Sequence, residues 1–318
     1  MMKDFSINED SLFDLDSVLE GQNLAKYDLE IKQISDNLWI GVGEFEELLQ
    51  PFFNLFLKNE LLPSLYINYL SMVQLNNKFE NVSVKASTSI IDMIGKKLLF
   101  QMDSNRKNFD DGFMLKRSHF FINNPMNNGS FWKRILRVIK GRFIYYWKVL
   151  TGVDVIYLNA GKLKKDFSLI PNSLNALYIF DREPKQELPD LENLKKIVIS
   201  NIEKMNISIP SELIIELLNQ NLFNNLLPMF KRIFILAEFI QKNNVQLVIS
   251  SSSSNEFFLA LLAAAKISKT ESLIISHGMP SIFNPKLNNY CSYQGLINNF
   301  EPIYDGAKIM EFKASWFE

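Results

Sequence analysis

Two polar segments combine residue types that could handle a hydroxyl-bearing or phosphorylated ligand. In "LIISHGMPS" (273–281) an apolar run breaks into Ser276-His277-Gly278-Met279-Pro280. His277 is one of two histidines in the chain. An imidazole at a strand end can take a proton from a hydroxyl near neutral pH. Gly278 lets backbone and substrate approach closely, and Pro280 stiffens the turn. In "VISSSSSNEFF" (248–258) five serines, Ser250 to Ser254, separate an apolar run from a helical pattern. Ser253 and Glu256 fit the S-x-x-E capping box. Free N–H groups at a helix start, with Ser253, Ser254 and Asn255 beside them, could hold a phosphate or a sugar hydroxyl. Simple capping plus a polar loop is the plain alternative.

Other chemistries have weaker support. Two distant histidines, a single cysteine (Cys291) and no paired acidic motif give no metal-ligand spacing. The Gly-rich dinucleotide fingerprint is absent, since "GVGEF" lacks its third glycine. No G-x-S-x-G elbow supports a serine hydrolase. His119, in "KRSHFF", reads as an ordinary surface or interface residue. One cysteine also excludes an internal disulfide and fits a reducing compartment.

The elements that must position these segments follow from apolar periodicity. At 318 residues and 47% hydrophobic, the chain can bury one large core or two modest ones. Residues 1–80 read as a mostly helical region, and 81–318 as a Rossmann-like domain. "NVSVKAS", "LLFQMD", "DVIYLNA", "ALYIFD", "KKIVISN", "VQLVISS" and "SLIISHG" read as strands. Helical patterns lie between several of them, among them "SELIIELLNQNLFNNLLPMFKRIFILAEFIQKN" and "NEFFLALLAAAKIS". Near-continuous apolar strands alternating with helices predict an α/β fold, a parallel sheet with helices on both faces. Ligands of such sheets bind at the carboxyl ends of strands. That rule selects Asn159 to Gly161, Asp181 to Glu183, Ser250 to Asn255 and Ser276 to Pro280.

A net charge of −1 hides an asymmetry. Residues 1–50 hold twelve acids against three Lys/Arg, whereas Gly112 through Val153 hold eight Lys/Arg and no acid. Within that span "SFWKRILRVIKGRFIYYWKVL" predicts a helical insertion near 129–150. Lys133, Arg137, Lys140 and Lys148 fall on one stripe with Arg134 at its flank. Phe131, Trp132, Ile135, Ile139, Phe143, Tyr146, Trp147 and Leu150 fill the other side, with Arg142 among them. Such a helix suits an anionic membrane surface. It equally suits a helix packed on a sheet with its basic edge in water. Nucleic acid ranks below both, because the chain is slightly acidic and no nucleic-acid module is present. The acidic start "MMKDFSINEDSLFDLD" reads as neither a secretory signal nor a transit peptide, and no window has about 18 uninterrupted apolar residues.

The stretch "VQLVISSSSSNEFFLALLAAAKISKTESLIISHGMPS" resembles a segment of bacterial surface-polysaccharide glycosyltransferases of the GT-B architecture. The likeness extends to glycerophosphotransferases of wall teichoic acid synthesis and to capsule and lipopolysaccharide sugar transferases. In those families a strand, a polar loop, a small-residue helix and a second strand lead to a His-Gly turn late in the acceptor-side domain. Many relatives carry Gln or Trp where this chain has Ser276. The resemblance implies His277 as the base or acceptor-orienting group. It also implies sugar or phosphate contacts from Ser253, Ser254, Asn255, Ser276 and Gly278, a lipid-linked or saccharide acceptor, and a cytoplasmic location at the inner membrane face. About forty residues follow His277, too few for the family's donor-binding domain. The expectation is therefore an acceptor half that needs a second chain or domain, with a nucleotide-activated sugar as donor substrate and no resident cofactor or metal. The alternative is a non-catalytic, membrane-associated binding module of a polysaccharide assembly pathway.

Overall fold

The computed structural model describes residues 4–7, 24–46, 48–49, 61–84, 89–102, 131–158, 172–176, 179, 183–250, 256–275, 293–296 and 308–311. It divides into two compact units, each built from two stretches of chain. One unit holds residues 1–119 and 190–224, the other 120–189 and 225–318. The first unit opens with β1 (Phe5–Ile7), α1 (Leu24–Asn37), α2 (Leu62–Lys78), β2 (Val82–Val84), α3 (Ser89–Lys97) and β3 (Gln101–Met102). The second unit follows with α4 (Phe131–Thr151), β4 (Val155–Leu158) and β5 (Ser173–Asn175). The chain then returns to the first unit for α5 (Leu191–Glu203), α6 (Ser211–Leu218) and a π-turn (Asn219–Phe223). It completes the second with α7 (Asn224–Lys242), β6 (Leu247–Ser250), α8 (Glu256–Ile267), β7 (Glu271–Ile275), β8 (Tyr293–Leu296) and β9 (Lys308–Glu311).

The fold is α/β with two parallel sheets. The first unit orders β1-β2-β3, pairing Phe5–Ile7 with Val82–Val84, and Val82–Val84 in turn with Gln101–Met102. A strand therefore lies within the stretch expected to be helical. The second unit orders six parallel strands β5-β4-β6-β7-β8-β9. Alternate side chains of its middle strands bury opposite faces. Tyr157, Ile249, Leu273 and Ile275 cluster on one face, and Ile156, Val248 and Ile274 are buried on the other. Helix α8 is buried continuously from Phe258 to Ala265 and packs on β6 and β7. A helix that is apolar all round is one that is buried on every side.

One expected strand is corrected. "KKIVISN" forms part of α5. Its β-branched Ile197-Val198-Ile199 run suggested a strand, but the buried residues are Leu194, Val198 and Ile202, spaced four apart. Asp190 accepts from the Asn193 N–H at 3.0 Å and starts the helix. Of the strand expected at "ALYIFD", Leu177, Tyr178, Phe180 and Asp181 lie outside the described residues; a short strand is described just before it, at Ser173–Asn175.

Three helices pass into their following strands through the same stop. In α3 the Phe100 N–H reaches the Gly95 carbonyl at 2.9 Å and Leu99 N–H reaches Lys96 at 3.3 Å. In α7 the equivalents are Val245 to Ile240 and Asn244 to Gln241, and in α8 Thr270 to Ala265 and Lys269 to Lys266. These are paired C-terminal closures of the Schellman type. The residue in the left-handed region is Leu99 (φ 60°), Asn244 (51°) or Lys269 (56°), never glycine. Gly95 serves a different need: a Cβ there would meet Met102 Sδ at 3.1 Å, so α3 can lie close on β3.

In the first unit two polar side chains join segments far apart in sequence. Glu30 of α1 is buried and accepts from Ser208 N–H (2.9 Å), Ser208 Oγ (2.7 Å) and Tyr66 Oη (3.2 Å). Burial pushes this carboxyl up. The Ser208 backbone and hydroxyl, then Tyr66 and nearby Lys26, outweigh it and hold Glu30 below the ordinary 4.5. Burial and the Glu30 carboxylate push the Tyr66 phenol well up. Asn201 Nδ2 donates to the Leu38 and Ile40 carbonyls, at 3.1 and 2.9 Å, just past the end of α1.

Two outcomes are expected. Leu99 is 89% exposed, so Leu99→Gly sacrifices little packing and relieves the left-handed strain. It should stabilise the protein by about 1 kcal/mol in urea unfolding, and destabilisation would contradict the closure described here. Glu30→Gln should cost about 1.5–3 kcal/mol near pH 7. Because the folded carboxyl is depressed, the wild-type advantage is complete above the unfolded value of 4.5 and fades as pH falls below it. Unfolding curves of the two proteins should therefore converge on acidification, and a constant gap would rule out a charged Glu30.

Candidate functional site

The second unit's strand order creates one distinguished edge. From β4 the chain moves to β5 on one side, and β6 then takes the place on the other side of β4. Such a reversal opens a crevice beyond the carboxyl ends of the two central strands. The register aligns Leu158 with Ser250 and Ser250 with Ile274. The chain thus leaves β4, β6 and β7 from the same edge of the sheet. Ser250, at the last position of β6, is fully buried.

The expected site residues themselves, Ser253, Ser254, Asn255, Ser276, His277 and Gly278, lie outside the described residues. So do Asn159, Ala160, Gly161, Asp181, Arg182, His119 and Cys291. Glu183, which follows the Asp181-Arg182 pair, accepts from Lys231 Nζ at 2.7 Å. Among the described residues no group of three or more His, Cys, Asp or Glu is placed to hold a metal ion.

The second feature is α4. It contains no Asp or Glu over its 21 residues. One side packs in the fold: Gly141 is buried, Ile135, Val138, Ile144 and Val149 are half-buried, and the Tyr145 ring lies 5.6 Å from that of Phe239. The opposite side exposes a ridge of Trp132, Leu136, Ile139, Phe143, Tyr146, Trp147 and Leu150, each 60–84% accessible. Phe143 and Trp147 stack at 6.4 Å. At about 100° per residue, exposed Lys133 and Lys140 run along one flank and exposed Arg142 along the other.

This arrangement differs in detail from the stripe read in the sequence. Lys148 is half-buried rather than free in water, and Ile135 belongs to the inner side. The side chains of Phe131, Arg134 and Arg137 lie outside the description. Leu136 was missed as a ridge member. Its signal was the alternating spacing of four and three in 132-136-139-143-146-150. Among the described residues no helix is long and apolar enough to cross a membrane.

The chain matches no protein-family model, no curated protein and no solved structure.

The exposed ridge makes an optical prediction. In a Trp316→Phe background, iodide should quench Trp132 and Trp147 emission and spare Trp39, which is 1% exposed. Caesium should quench less, because the flanking cations attract iodide and repel caesium, and added inert salt should narrow the difference. If replacing Trp132 and Trp147 with Phe leaves the quenchable fraction unchanged, the ridge is not in solvent.

Proposed function

We propose that this chain is the acceptor-side α/β part of a GT-B-type glycosyltransferase, or of a related glycerophosphotransferase, in bacterial surface-carbohydrate synthesis. It would be a cytoplasmic protein held peripherally at the inner membrane face. The six-stranded sheet is read as its Rossmann-like core. The observation that carries the reading is the shared edge at Leu158, Ser250 and Ile275, where the serine segment and the His-Gly segment both begin.

In this mechanism His277 accepts the proton of an acceptor hydroxyl as its oxygen attacks the anomeric carbon of the donor sugar. The bond from that carbon to the nucleoside phosphate breaks, and the phosphate leaves with the bonding electron pair. Ser253, Ser254, Asn255 and Ser276 donate to or accept from acceptor hydroxyls or phosphate. Gly278 leaves room for the acceptor against the backbone. A second chain or domain supplies the donor site. The different-class alternative, a non-catalytic binding module at the membrane, draws on the α4 ridge, which needs no reaction to explain it.

The test has two parts. Calorimetric titration of sugar nucleotides against the purified chain should show no tight binding, and an assay of the chain alone no transfer, because the reading assigns the donor site to a second chain or domain. In a reaction completed with source-cell membranes, His277→Gln should lower turnover by about 10²–10⁴-fold, with a melting temperature near wild type. A Gln variant working at the wild-type rate removes His277 as the base. Sugar transfer by the isolated chain overturns the division into halves.

A further inference from the structure

Helix α4 has apolar side chains on two sides, and one of them stays largely accessible to solvent. The outward ridge asks two things of whatever covers it. Trp132, Phe143, Trp147 and Leu150 call for an apolar phase, while Lys133, Lys140 and Arg142 at the flanks call for negative charge. A second copy of the chain could meet the first demand, since alternating four-three spacing is that of a helix seam. It fails the second: each helix carries six Lys/Arg and no acid, so self-pairing sets like charges together. A nucleic acid meets the charge demand and offers no apolar phase.

We propose that α4 lies along the surface of an anionic phospholipid bilayer. The ridge enters the boundary between headgroups and acyl chains, about 5–10 Å deep, and the flanking cations meet lipid phosphates. Trp132, Tyr146 and Trp147 suit that depth, because an amphipathic ring has an apolar body and a polar N–H or O–H. Together, ridge and flanks make this a contact of the whole folded protein, with Tyr145 and its neighbours still packed inside. The inference deepens the peripheral placement proposed above, and needs neither a donor sugar nor His277.

The experiment is flotation of the full chain with vesicles of phosphatidylcholine mixed with phosphatidylglycerol, and with phosphatidylcholine alone. Wild type should float with the mixed vesicles, shift its tryptophan emission to the blue, and release as salt rises. Removing two cations in Lys133→Gln/Lys140→Gln should weaken partitioning roughly 20–30-fold. Ile139→Ser/Phe143→Ser/Leu150→Ser should abolish flotation with an unchanged melting temperature, since all three side chains are exposed. The proposal is overturned if wild type ignores the mixed vesicles, or if the serine variant floats like wild type. A dimer that the serine variant splits, with no vesicle binding, overturns it in favour of a second copy. These vesicles contain no donor or acceptor sugar, so failure of the glycosyltransferase reading leaves this result untouched, and the converse holds.

Discussion

The second unit depends on the parallel pairing of β4 with β6. The two strands are separated by almost ninety residues of sequence, and the chain visits the first unit between them. Parallel neighbours require crossover connections, and such sheets survive only with both faces covered. Here Tyr157 and Ile249 face one way from the pair, and Ile156 and Val248 the other, all buried. The register is thereby fixed, because a slip of one residue would send each side chain to the wrong face. That register sets Leu158 beside Ser250, and with β7 added it brings three strand ends to one edge. Every chemical role considered for the serine and His-Gly segments rests on that alignment.

The first unit solves a related problem with polar groups. Its two stretches of chain, 1–119 and 190–224, meet through apolar packing that lacks direction. Glu30 and Asn201 add direction. A buried carboxylate accepting three hydrogen bonds fixes where Ser208 and Tyr66 must sit, since an unmatched charge there would be costly. Asn201 donates to the Leu38 and Ile40 carbonyls just past the end of α1 and so ties that turn to α5. The depressed Glu30 carboxyl makes this junction sensitive to acid and indifferent to pH near neutrality.

Helix α4 shows how one sequence period can serve two surfaces. Its inner side is small and partly aliphatic, with Gly141 at the centre and Tyr145 against Phe239. Its outer side carries larger rings, left in solvent. A helix serving the fold alone would place polar groups outward. The retained outward aromatics, ringed by cations and free of acids, are the strongest functional signal among the described residues.

Most local structure was legible in the sequence. The strands at Val155–Leu158, Leu247–Ser250 and Glu271–Ile275 follow from short apolar runs, and α4, α7 and α8 from their helical periodicity. The sequence also determined the acid-free cationic span and the residue types available for chemistry. Periodicity failed at Lys195–Asn201, where β-branched residues favour a strand but a capped helix buries every fourth side chain. It was also silent on β8 and β9, and on the pairing of Phe5–Ile7 with Val82–Val84. Strand order, the reversal beside β4 and the side of α4 that faces water were decided by tertiary structure. The physical reason is that apolar periodicity records that a face is buried and not what buries it. Only the assembled sheet chooses which distant strand, or which side of a two-faced helix, receives that burial.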